Sequence, residues 1–383
     1  MRLAVATENP ATVAETYVRQ HMRDIQPGQT VGIALGGYAE GIPADMPFFV
    51  RQRHVSGWPQ RRVAALATLA RTGYAAALSV SEETALAEFL TKHQVTALLA
   101  EFGTTGLVLR KIAKKLGIRF VVNFHGYDAT VLPKRYDIRH GYRLLARDAD
   151  AIVCGSKHFA SILHDLGFPP SRVHTIPCGV DSKGFLAGER DGKLIVGIGR
   201  LTEKKRPDLT IRAFAMAQAE VPDLRLELVG DGPERASCED AIRDCGVGSS
   251  VRLRGALPHV EVRQVLARAS IFAQHSMTAL NGDQESQGIS LIEAMSATLP
   301  VVATDHNGFS ETVVDGQTGL LCPEGDVDQM AMHMVTLASD RELRERMGAA
   351  GRRRVEDNFE ATYTTAQLRA LLFPAQSQMT QVT

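Results

Sequence analysis

The sequence lacks the features that mark several large classes of protein. Its five cysteines are an odd number without C-x-x-C spacing, which argues against a zinc site and a disulfide framework and for a reducing compartment. No stretch reaches 18 apolar residues, so no membrane-spanning helix is expected. The run Met1–Thr7 predicts a strand, and no secretory apolar region or cleavage site follows it. We therefore expect a cytoplasmic protein.

Net charge is lacking as well, because 43 basic side chains balance 43 acidic ones. This balance argues against a nucleic-acid partner. The two halves differ, however: residues 1–180 carry 21 basic and 14 acidic side chains, and the remainder carries 22 and 29. The basic half is a candidate for contact with an anionic surface or acceptor, and two unequal solvated surfaces are the alternative.

What the chain does have is an alternation of short apolar runs with helical patterns over 383 residues, enough for two α/β domains. This alternation predicts parallel sheets with helices on both faces. The predicted strands are Leu3–Thr7, Val31–Leu35, Ala97–Ala100, Phe120–Phe124, Ala151–Cys154, Leu194–Ile198, Arg225–Val229, Val251–Arg254, Ser270–Ala273 and Pro300–Ala303. The predicted helices include Ala64–Ala76, Glu82–His93, Thr105–Leu116 and Ala361–Leu372.

The segment Thr175–Asp181, followed by the polar stretch Gly184–Asp191, predicts a hinge between the two series. We therefore expect a Rossmann-like domain over residues 1–180, a second over 181–358, a helix over 359–375 and a tail over 376–383. Ligands of doubly wound sheets bind beyond the carboxyl ends of the strands, so a cleft between the domains is the expected site.

Two glutamates eight positions apart, Glu285 and Glu293, enclose a predicted helix start at Gly288. A helix start presents unpaired N–H groups and partial positive charge, and glycine lets a ligand approach the backbone. Acidic side chains on both sides of an anion site are explained if they accept hydrogen bonds from hydroxyl groups, those of a sugar on one side and of a ribose on the other. A glycosidase pair is disfavoured, because eight helical steps rise about 12 Å and turn the two side chains to different faces.

The first strand of the second series ends at Gly197-Ile-Gly199-Arg200, with Lys205 five positions further on. A dinucleotide fingerprint needs a third glycine where Thr202 stands, so a nicotinamide enzyme is disfavoured. An arginine and a lysine after a strand suit a diphosphate, and a solvated charge run is the alternative. In the first series His125 follows a predicted strand, where it is either a hydrogen-bonding partner of the substrate or a structural histidine.

Over most of its length the chain resembles the glycosyltransferases of family four, which have the retaining GT-B type. The matching segments are Gly199-Arg-Leu with Lys205, Val229–Pro233, the glutamate motif extended to Ser296, Leu299–Val302, and Glu311 with Gly316 and Gly319. A narrower similarity to bacterial exopolysaccharide enzymes of the colanic-acid type rests on Glu15–Val18, Phe124–Asp128 and Ser276–Glu285.

The resemblance implies two Rossmann-like domains facing a cleft, with the C-terminal helix returning to the first domain. It assigns the donor diphosphate to Arg200 and Lys205 after Gly199, aided by the Ile289 and Ser290 amides beside Gly288. It also gives Glu293 the ribose hydroxyls, Glu285 the transferred sugar, and His125 a place beside that sugar. Weaker assignments put the base near Gly255–Pro258, with Leu257, and the acceptor near Glu15, Thr16, Glu101 and Asp128.

Several positions depart from the family pattern. Arg206 and Thr298 stand where glycine is usual, and Gln287 replaces a common aromatic residue. Glu101 occupies a position where similar proteins often have histidine, and the usual glycine pair near the first strand is missing. These departures concern the identity of the donor and the contacts of the acceptor.

The expected reaction moves a hexose from a nucleotide sugar, UDP being favoured over GDP, to a carbohydrate, lipid-linked or small-molecule hydroxyl. No metal and no cofactor are expected, because carboxylates at ligand spacing are lacking and the cations take that role. The alternatives are another enzyme on the same scaffold, such as an epimerase, or a sugar-binding protein. The cationic segment Arg110–Arg119 combines basic side chains with Leu107, Ile112 and Leu116 at helical spacing. This helix could rest on the anionic inner face of the cell membrane, and an ordinary surface helix is the alternative.

Overall fold

The computed structural model describes residues 1–10, 12, 16–37, 45–52, 68, 74 and 76–374. Within this part the chain divides into two compact units. Unit 1 consists of Met1–Cys154, Ala160–Ile176 and Thr364–Thr383, and unit 2 of Gly155–Phe159 and Pro177–Tyr363. The last helix thus lies mostly in unit 1, and the boundaries and the cleft predicted from the sequence stay predictions.

Unit 1 is built on a parallel sheet of seven strands in the order β3-β2-β1-β4-β5-β6-β7. The strands are β1 (Arg2–Thr7), β2 (Thr30–Ala34), β3 (Phe48–Val50), β4 (Val95–Glu101), β5 (Arg119–Phe124), β6 (Ala151–Cys154) and β7 (Val173–Thr175). The central strands are buried along nearly their whole length. Such burial is typical of a parallel sheet whose two faces are both covered.

Unit 2 is built on a parallel sheet of six strands in the order β10-β9-β8-β11-β12-β13. The strands are β8 (Leu194–Ile198), β9 (Arg225–Val229), β10 (Val251–Gly255), β11 (Ile271–Gln274), β12 (Val301–Thr304) and β13 (Gly319–Cys322). One apolar cluster packs on each side of this sheet, and Val196 and Phe272 belong to one cluster while Ile195 and Ile271 belong to the other. The expected pair of doubly wound sheets is confirmed.

Three of the four helices predicted with bounds agree with the structure to within a few residues, and the fourth, Ala64–Ala76, falls almost entirely outside the described residues. The helices of the described part are Thr16–Asp24, Val80–Lys92, Gly103–Leu116, Tyr127–Thr130, Tyr136–Asp148, Lys157–Asp165, Pro207–Glu220, Arg235–Asp244, His259–Arg268, Ile289–Ser296, Phe309–Thr312, Val327–Ser339, Arg341–Asn358 and Ala361–Leu372. Among these helices, none is long and apolar enough to cross a bilayer.

Three strands were missed by the sequence analysis, and all three lie at a sheet edge: β3, β7 and β13. They are three or four residues long, and β3 and β7 have no fully buried position. An edge strand has a neighbour on one side only, so its apolar pattern is short and weak. The predicted hinge at Thr175–Asp181 begins on the last residue of β7.

Candidate functional site

The loops at the carboxyl ends of β8, β9 and β10 pack directly against one another in unit 2. The Gly199 N–H donates to the Val229 carbonyl at 2.9 Å, and the Gly230 N–H donates to the Gly255 carbonyl at 2.8 Å. A Cβ on Gly230 would lie 1.9 Å from the Gly199 oxygen, and its φ is +136°. Only glycine fits this close approach, so the backbone before Arg200 is held in one place.

Lys205 crosses over Gly199, since a Cβ on that glycine would lie 3.0 Å from the lysine Cδ. Both residues line a pocket that Arg200 and Gln274 also line. With its amide oxygen turned toward Lys205, Gln274 accepts from the ammonium at 3.2 Å, and its nitrogen donates to Ser290 Oγ at 2.9 Å. Gln274, which sequence reasoning missed, thus connects the predicted cation to the predicted helix start.

Glu285 lies between two lysines. Its carboxylate oxygens are 3.3 Å from Lys204 Nζ and 3.3 Å from Lys205 Nζ, and Lys204 also reaches Asp283 at 3.2 Å. Burial would raise the pKa of Glu285, but the two ammoniums lower it to about 2. Burial likewise opposes the charge of Lys204, yet the carboxylates of Glu285 and Asp283 raise its pKa. The cluster therefore holds ionised groups of both signs away from water.

A second contact fixes the backbone of Glu285. Its N–H donates to His306 Nε2 at 3.1 Å, and the other ring nitrogen of this fully buried histidine contacts Glu324 Oε1 at 2.5 Å. A nitrogen that accepts from a backbone N–H carries no proton, so the proton of neutral His306 lies on Nδ1 and is donated to Glu324. His306 and Glu324 are further residues that the sequence did not indicate.

The helix expected after Gly288 begins at Ile289 and ends at Ser296. Gly288 has φ +79°, and a Cβ there would lie 2.6 Å from Phe309. The glycine is therefore required by its left-handed backbone and by the contact with Phe309. Ile289 is half-buried against the same apolar cluster as Leu257.

Glu293, the second glutamate of the motif, is 7 % exposed. A carboxylate at so buried a position needs a partner, and the partner is His259, whose Nε2 is 3.0 Å from Glu293 Oε1. His259 begins the helix that follows Leu257. The structure thus brings Glu293 to the segment in which the base of the donor is predicted to bind.

In unit 1, His125 forms part of a buried row of side chains. Its Nε2 is 2.7 Å from Glu101 Oε2, and the other oxygen of Glu101 is 2.7 Å from His21 Nδ1. Asn123 donates to the same carboxylate at 3.1 Å. Burial would raise the pKa of Glu101, but His21 and His125 lower it to about 2. The sequence indicated Glu101 and His125 separately, but not their contact or His21.

The remaining predicted acceptor residues differ in their surroundings. Asp128 is buried, and its carboxylate accepts from the backbone N–H groups of Gly103, His125 and Gly126 at 2.8–3.0 Å. These bonds give Asp128 a structural role in holding the loop of His125. Thr16 begins the helix that carries His21 and is half-buried, whereas Glu15 lies outside the described residues.

Two departures from the family pattern fall on left-handed backbone. Arg206 has φ +34° and Thr298 has φ +59°, in a region that favours glycine. Arg206 offsets part of this cost through a two-pronged ion pair with Asp208, at 2.9 and 2.8 Å. Thr298 accepts from Arg190 through its hydroxyl at 3.0 Å. The third departure, Gln287, donates to and accepts from the backbone of Cys178.

The cationic helix Gly103–Leu116 turns its apolar residues inward. Leu107 and Ile112 are 2 % and 1 % exposed, which agrees with the alternative of an ordinary surface helix that packs its apolar side inward. Arg110 is itself buried and pairs with Asp148 at 2.8 Å. Any contact of this helix with an anionic surface would have to be electrostatic, through cations such as Lys114.

Within the described ranges, no group of three or more His, Cys, Asp and Glu side chains is arranged to hold a metal ion. In unit 2 the ammoniums of Lys204 and Lys205 meet at Glu285, and Lys205 lines one pocket together with the exposed Arg200. Such a set can neutralise a phosphate while its carboxylates hold hydroxyls.

Two family models match the chain. The model of glycosyl transferases group 1 covers residues 183–354, and the model of glycosyltransferase family 4 covers residues 54–183. Among similar proteins, a GDP-mannose-dependent alpha-(1-6)-phosphatidylinositol monomannoside mannosyltransferase of Mycolicibacterium smegmatis is 31 % identical over 281 residues, 69 % of this chain and 73 % of that protein. The putative colanic acid biosynthesis glycosyltransferase WcaL of Salmonella typhimurium is 28 % identical over 284 residues, 72 % of this chain and 69 % of that protein.

Solved structures show the same fold at low sequence identity. HepE of Anabaena, in complex with UDP, has a TM-score of 0.76 at 18 % identity and covers 97 % of this chain and 99 % of its own. Sucrose-phosphate synthase of Thermosynechococcus elongatus has a TM-score of 0.75 at 17 % identity, covering 97 % of this chain and 98 % of its own. The fold is of the GT-B class.

Proposed function

Because this chain belongs to the glycosyltransferases of family four, we propose that it moves a hexose from a nucleoside-diphosphate sugar to a hydroxyl acceptor with retention of configuration. The acceptor is a carbohydrate, a lipid-linked sugar or a small molecule. The reaction serves the synthesis of a bacterial exopolysaccharide or another glycan, in the cytoplasm or at the inner face of the cell membrane. It needs no metal ion and no cofactor besides the donor.

The observation that carries this proposal is the position of Lys205 over Gly199, beside Arg200, at the carboxyl end of β8. The ammonium and the guanidinium border one pocket, and Gln274 links Lys205 to Ser290 at the helix start. A diphosphate in this pocket would contact the Lys205 ammonium, accept hydrogen bonds from the planar Arg200 guanidinium and accept hydrogen bonds from backbone N–H groups at the helix start.

The glutamates would hold the two sugars on either side of that diphosphate. Glu293, oriented by His259, would accept from the ribose hydroxyls. Glu285, kept ionised by the two lysines, would accept from hydroxyls of the transferred hexose. An ionised carboxylate accepts hydrogen bonds without donating, and therefore favours ligands that are rich in hydroxyl groups.

UDP is the proposed donor nucleotide, with GDP as the alternative. Support for UDP comes from the bound nucleotide named for the HepE structure, and support for GDP from the GDP-mannose-dependent relative that is 31 % identical. A thermal-shift series with UDP, GDP, ADP and CDP compares them directly. A ligand at 100 times its Kd adds about 2.7 kcal/mol of stability, and the largest shift should come from UDP.

The proposed chemistry is a displacement on one face of the sugar. The bond from the anomeric carbon to the diphosphate oxygen breaks, the acceptor oxygen bonds to the same face, and the acceptor proton passes to the departing diphosphate. Lys205 and Arg200 would stabilise the charge that develops on the leaving group. One preorganised group of this kind contributes about 3–4 kcal/mol at the transition state, or about 10²–10³ in rate.

The experiment that tests this proposal follows the slow hydrolysis of UDP-hexoses by NMR, with water standing in for the acceptor. Retention predicts that the hexose first released has the anomeric configuration of the donor, in the presence of a chelator as in its absence. The opposite anomer would contradict the retaining mechanism. An epimerase would convert the donor without releasing UDP, and a sugar-binding protein would leave the donor intact. The control is Lys205→Ala, which should lose the activity.

A further inference from the structure

The Glu285 loop, residues Met277–Glu285, follows β11 in unit 2 and is held by segments distant in sequence. The Met277 N–H donates to the Lys204 carbonyl at 2.9 Å, and the Leu280 N–H donates to Glu203 Oε1 at 2.9 Å. Leu280 itself, at the tip of the loop, is 99 % exposed. The position of Glu285 therefore depends on partners outside the loop.

His306 and Glu324 together contact both ends of this loop. Oε2 of Glu324 accepts from the Thr278 N–H at 3.1 Å, and Oε1 is 2.5 Å from His306 Nδ1. The other ring nitrogen of His306 accepts from the Glu285 N–H at 3.1 Å. His306 follows β12 and Glu324 follows β13, and these two strands pair in parallel. The sheet of unit 2 thus brings the two side chains to the loop.

The proton of His306 is located by its partners. A backbone N–H can only donate, so the Nε2 atom that faces the Glu285 N–H carries no proton. The side-chain nitrogen of Asn307 lies 2.9 Å from the same atom. The ring is therefore neutral, with its proton on Nδ1 and donated to Glu324. His306 is fully buried, and its edge contact with Phe309, at 5.8 Å between ring centroids, supports this orientation.

A second histidine holds the backbone next to Glu324 in the same way. His275 Nε2 accepts from the Gly325 N–H at 3.0 Å, and burial lowers the pKa of His275 to about 4. The backbone at Glu324 is thus held by one neutral ring, while its carboxylate connects the other ring to Thr278.

The carboxylate of Glu285 depends on different partners from its backbone. It lies 3.3 Å from both Lys204 and Lys205, and Lys205 borders the pocket proposed for the diphosphate. If Lys205 turns to a diphosphate, the carboxylate loses one of its two cations. The hydrogen bond between the Glu285 N–H and His306 is not affected by this exchange, since neither residue borders that pocket.

We propose that His306 and Glu324 are positioning residues for Glu285, which keep its backbone in place when Lys205 turns to a diphosphate. Glu324 accepts the Nδ1 proton of His306, and Nε2 is thereby left to accept from Glu285. The inference rests on the proposed function for the part that Glu285 then plays toward the hexose. The hydrogen bonds themselves do not, since they join residues of unit 2 in the free protein.

The first test reads the proton of His306 without any reaction. The full chain is labelled with ¹⁵N-histidine, and His306→Gln identifies the His306 signals in long-range ¹H–¹⁵N spectra at neutral pH. The wild type should show a protonated Nδ1 and an unprotonated Nε2, both alone and with saturating UDP or GDP. A protonated Nε2 in either state would overturn the inference, because the Glu285 N–H would then have lost its acceptor.

The second test follows hydrogen exchange in peptides that cover the Glu285 loop. His306→Leu removes the acceptor, whereas His306→Gln keeps an amide oxygen near the position of Nε2. Exchange should be faster in the leucine variant, most clearly with UDP or GDP bound, and glutamine should restore most of the protection. Equal exchange in the two variants would contradict the positioning role.

A control removes a buried charge elsewhere in the same unit. Glu227 is 5 % exposed and pairs with Arg254 and Arg268, so Glu227→Gln should leave exchange in the Glu285 loop as it is. An increase as large as that of His306→Leu would assign the effect to a general loss of stability and contradict the inference.

Turnover separates the positioning of Glu285 from the binding of the nucleotide. His306→Leu should lower kcat for hydrolysis of the UDP-hexose by about 10²-fold, as a misplaced reacting group does. UDP carries no hexose and should bind no more weakly than to wild type. A wild-type kcat, or a loss of UDP affinity as large as the loss in kcat, would overturn the role.

A second variant covers the case in which His306→Leu does not fold. Glu324 is partly exposed, and Glu324→Gln leaves one acceptor oxygen where the carboxylate has two, so kcat should again fall while UDP binding is kept. Unchanged kcat in this variant would count against the pair. If wild type released no hexose while the His306 proton and the loop exchange were as described, the proposed function would fail and the held loop would stand.

Discussion

The pairing of Lys205 with Glu285 predicts that removing the carboxylate strengthens the binding of a nucleoside diphosphate. In the free protein the Lys205 ammonium is 3.3 Å from Glu285, so a diphosphate has to compete with that carboxylate. The substitution Glu285→Gln keeps the shape of the side chain and removes its charge. UDP and GDP carry no hexose, so the sugar contact proposed for Glu285 does not enter the comparison.

The size of the effect follows from the distance and the burial of the pair. At 3.3 Å and an effective dielectric constant of about 20, two unit charges attract by about 5 kcal/mol. Removal of both groups from water offsets most of this, as in other buried pairs. If about 1.4 kcal/mol remains, release of Lys205 tightens the Kd of the diphosphate about tenfold.

Titration calorimetry with UDP and with GDP measures this directly on wild type and Glu285→Gln. The matched control is Glu203→Gln, which removes one negative charge from the same loop but leaves the Lys205 pair intact, since Glu203 accepts from the Leu280 N–H. Hydrolysis of the nucleotide sugar should nevertheless fall in Glu285→Gln, because the hexose contact is lost. Unchanged or weaker binding of both diphosphates would refute the competition.

Four further predictions follow. Lys205→Ala should lower kcat by about 10²–10³ without unfolding the chain, as hydrolysis rates and circular dichroism will show. Gln94→Gly should raise the free energy of unfolding by about 1 kcal/mol in urea titrations, and Gln94→Ala should not, because this exposed residue has φ +51°. The pKa values of Glu101 and Glu285 are about 2 in the folded chain, against 4.5 for a free glutamate. The contribution of these two carboxylates to the free energy of unfolding should therefore be fully present above pH 4.5 and be lost as the pH falls toward 2, and Glu285→Gln should show a smaller loss. Flotation with anionic vesicles should show association at low salt that is lost at high salt if Lys114 and its neighbours touch the membrane; no salt-sensitive association would end that hypothesis.

Sequence patterns predicted most of the fold because the central strands are buried on both faces. Runs such as Phe120–Phe124 and Leu194–Ile198 stand out for that reason, and the structure places strands at both. The edge strands Phe48–Val50 and Gly319–Cys322 gave no comparable signal. Their positions depend on neighbours that are distant in sequence, and a single-sequence pattern does not contain that information.

The residues of the site likewise fall into those that a local sequence motif indicates and those that only the fold brings together. Arg200, Lys205 and the two glutamates lie in local motifs, and the structure brings Lys205 and Glu285 into contact. The histidines that contact the two glutamates do not lie in such motifs: His259 is 34 positions before Glu293, and His306 is 21 positions after Glu285. A lone histidine carries no pattern of its own, so these contacts follow only from the fold.

The departures at Arg206 and Thr298 show what the sequence does reveal when it is compared with a pattern. Each was singled out because glycine is usual there, and each has a positive φ. A positive φ favours glycine, so the backbone of this chain is enough to account for the pattern at both positions. Gly288 follows the same rule, since its φ and Phe309 require it.

When a nucleoside diphosphate binds, we expect Lys205 to exchange the Glu285 carboxylate for the diphosphate while Lys204 stays beside Glu285. A crystal structure of the full chain with bound UDP or GDP should show Lys205 Nζ and the Arg200 guanidinium on diphosphate oxygens and Glu293 on the ribose. A nucleotide bound elsewhere, with the ion pair between Lys205 and Glu285 intact, would refute this exchange.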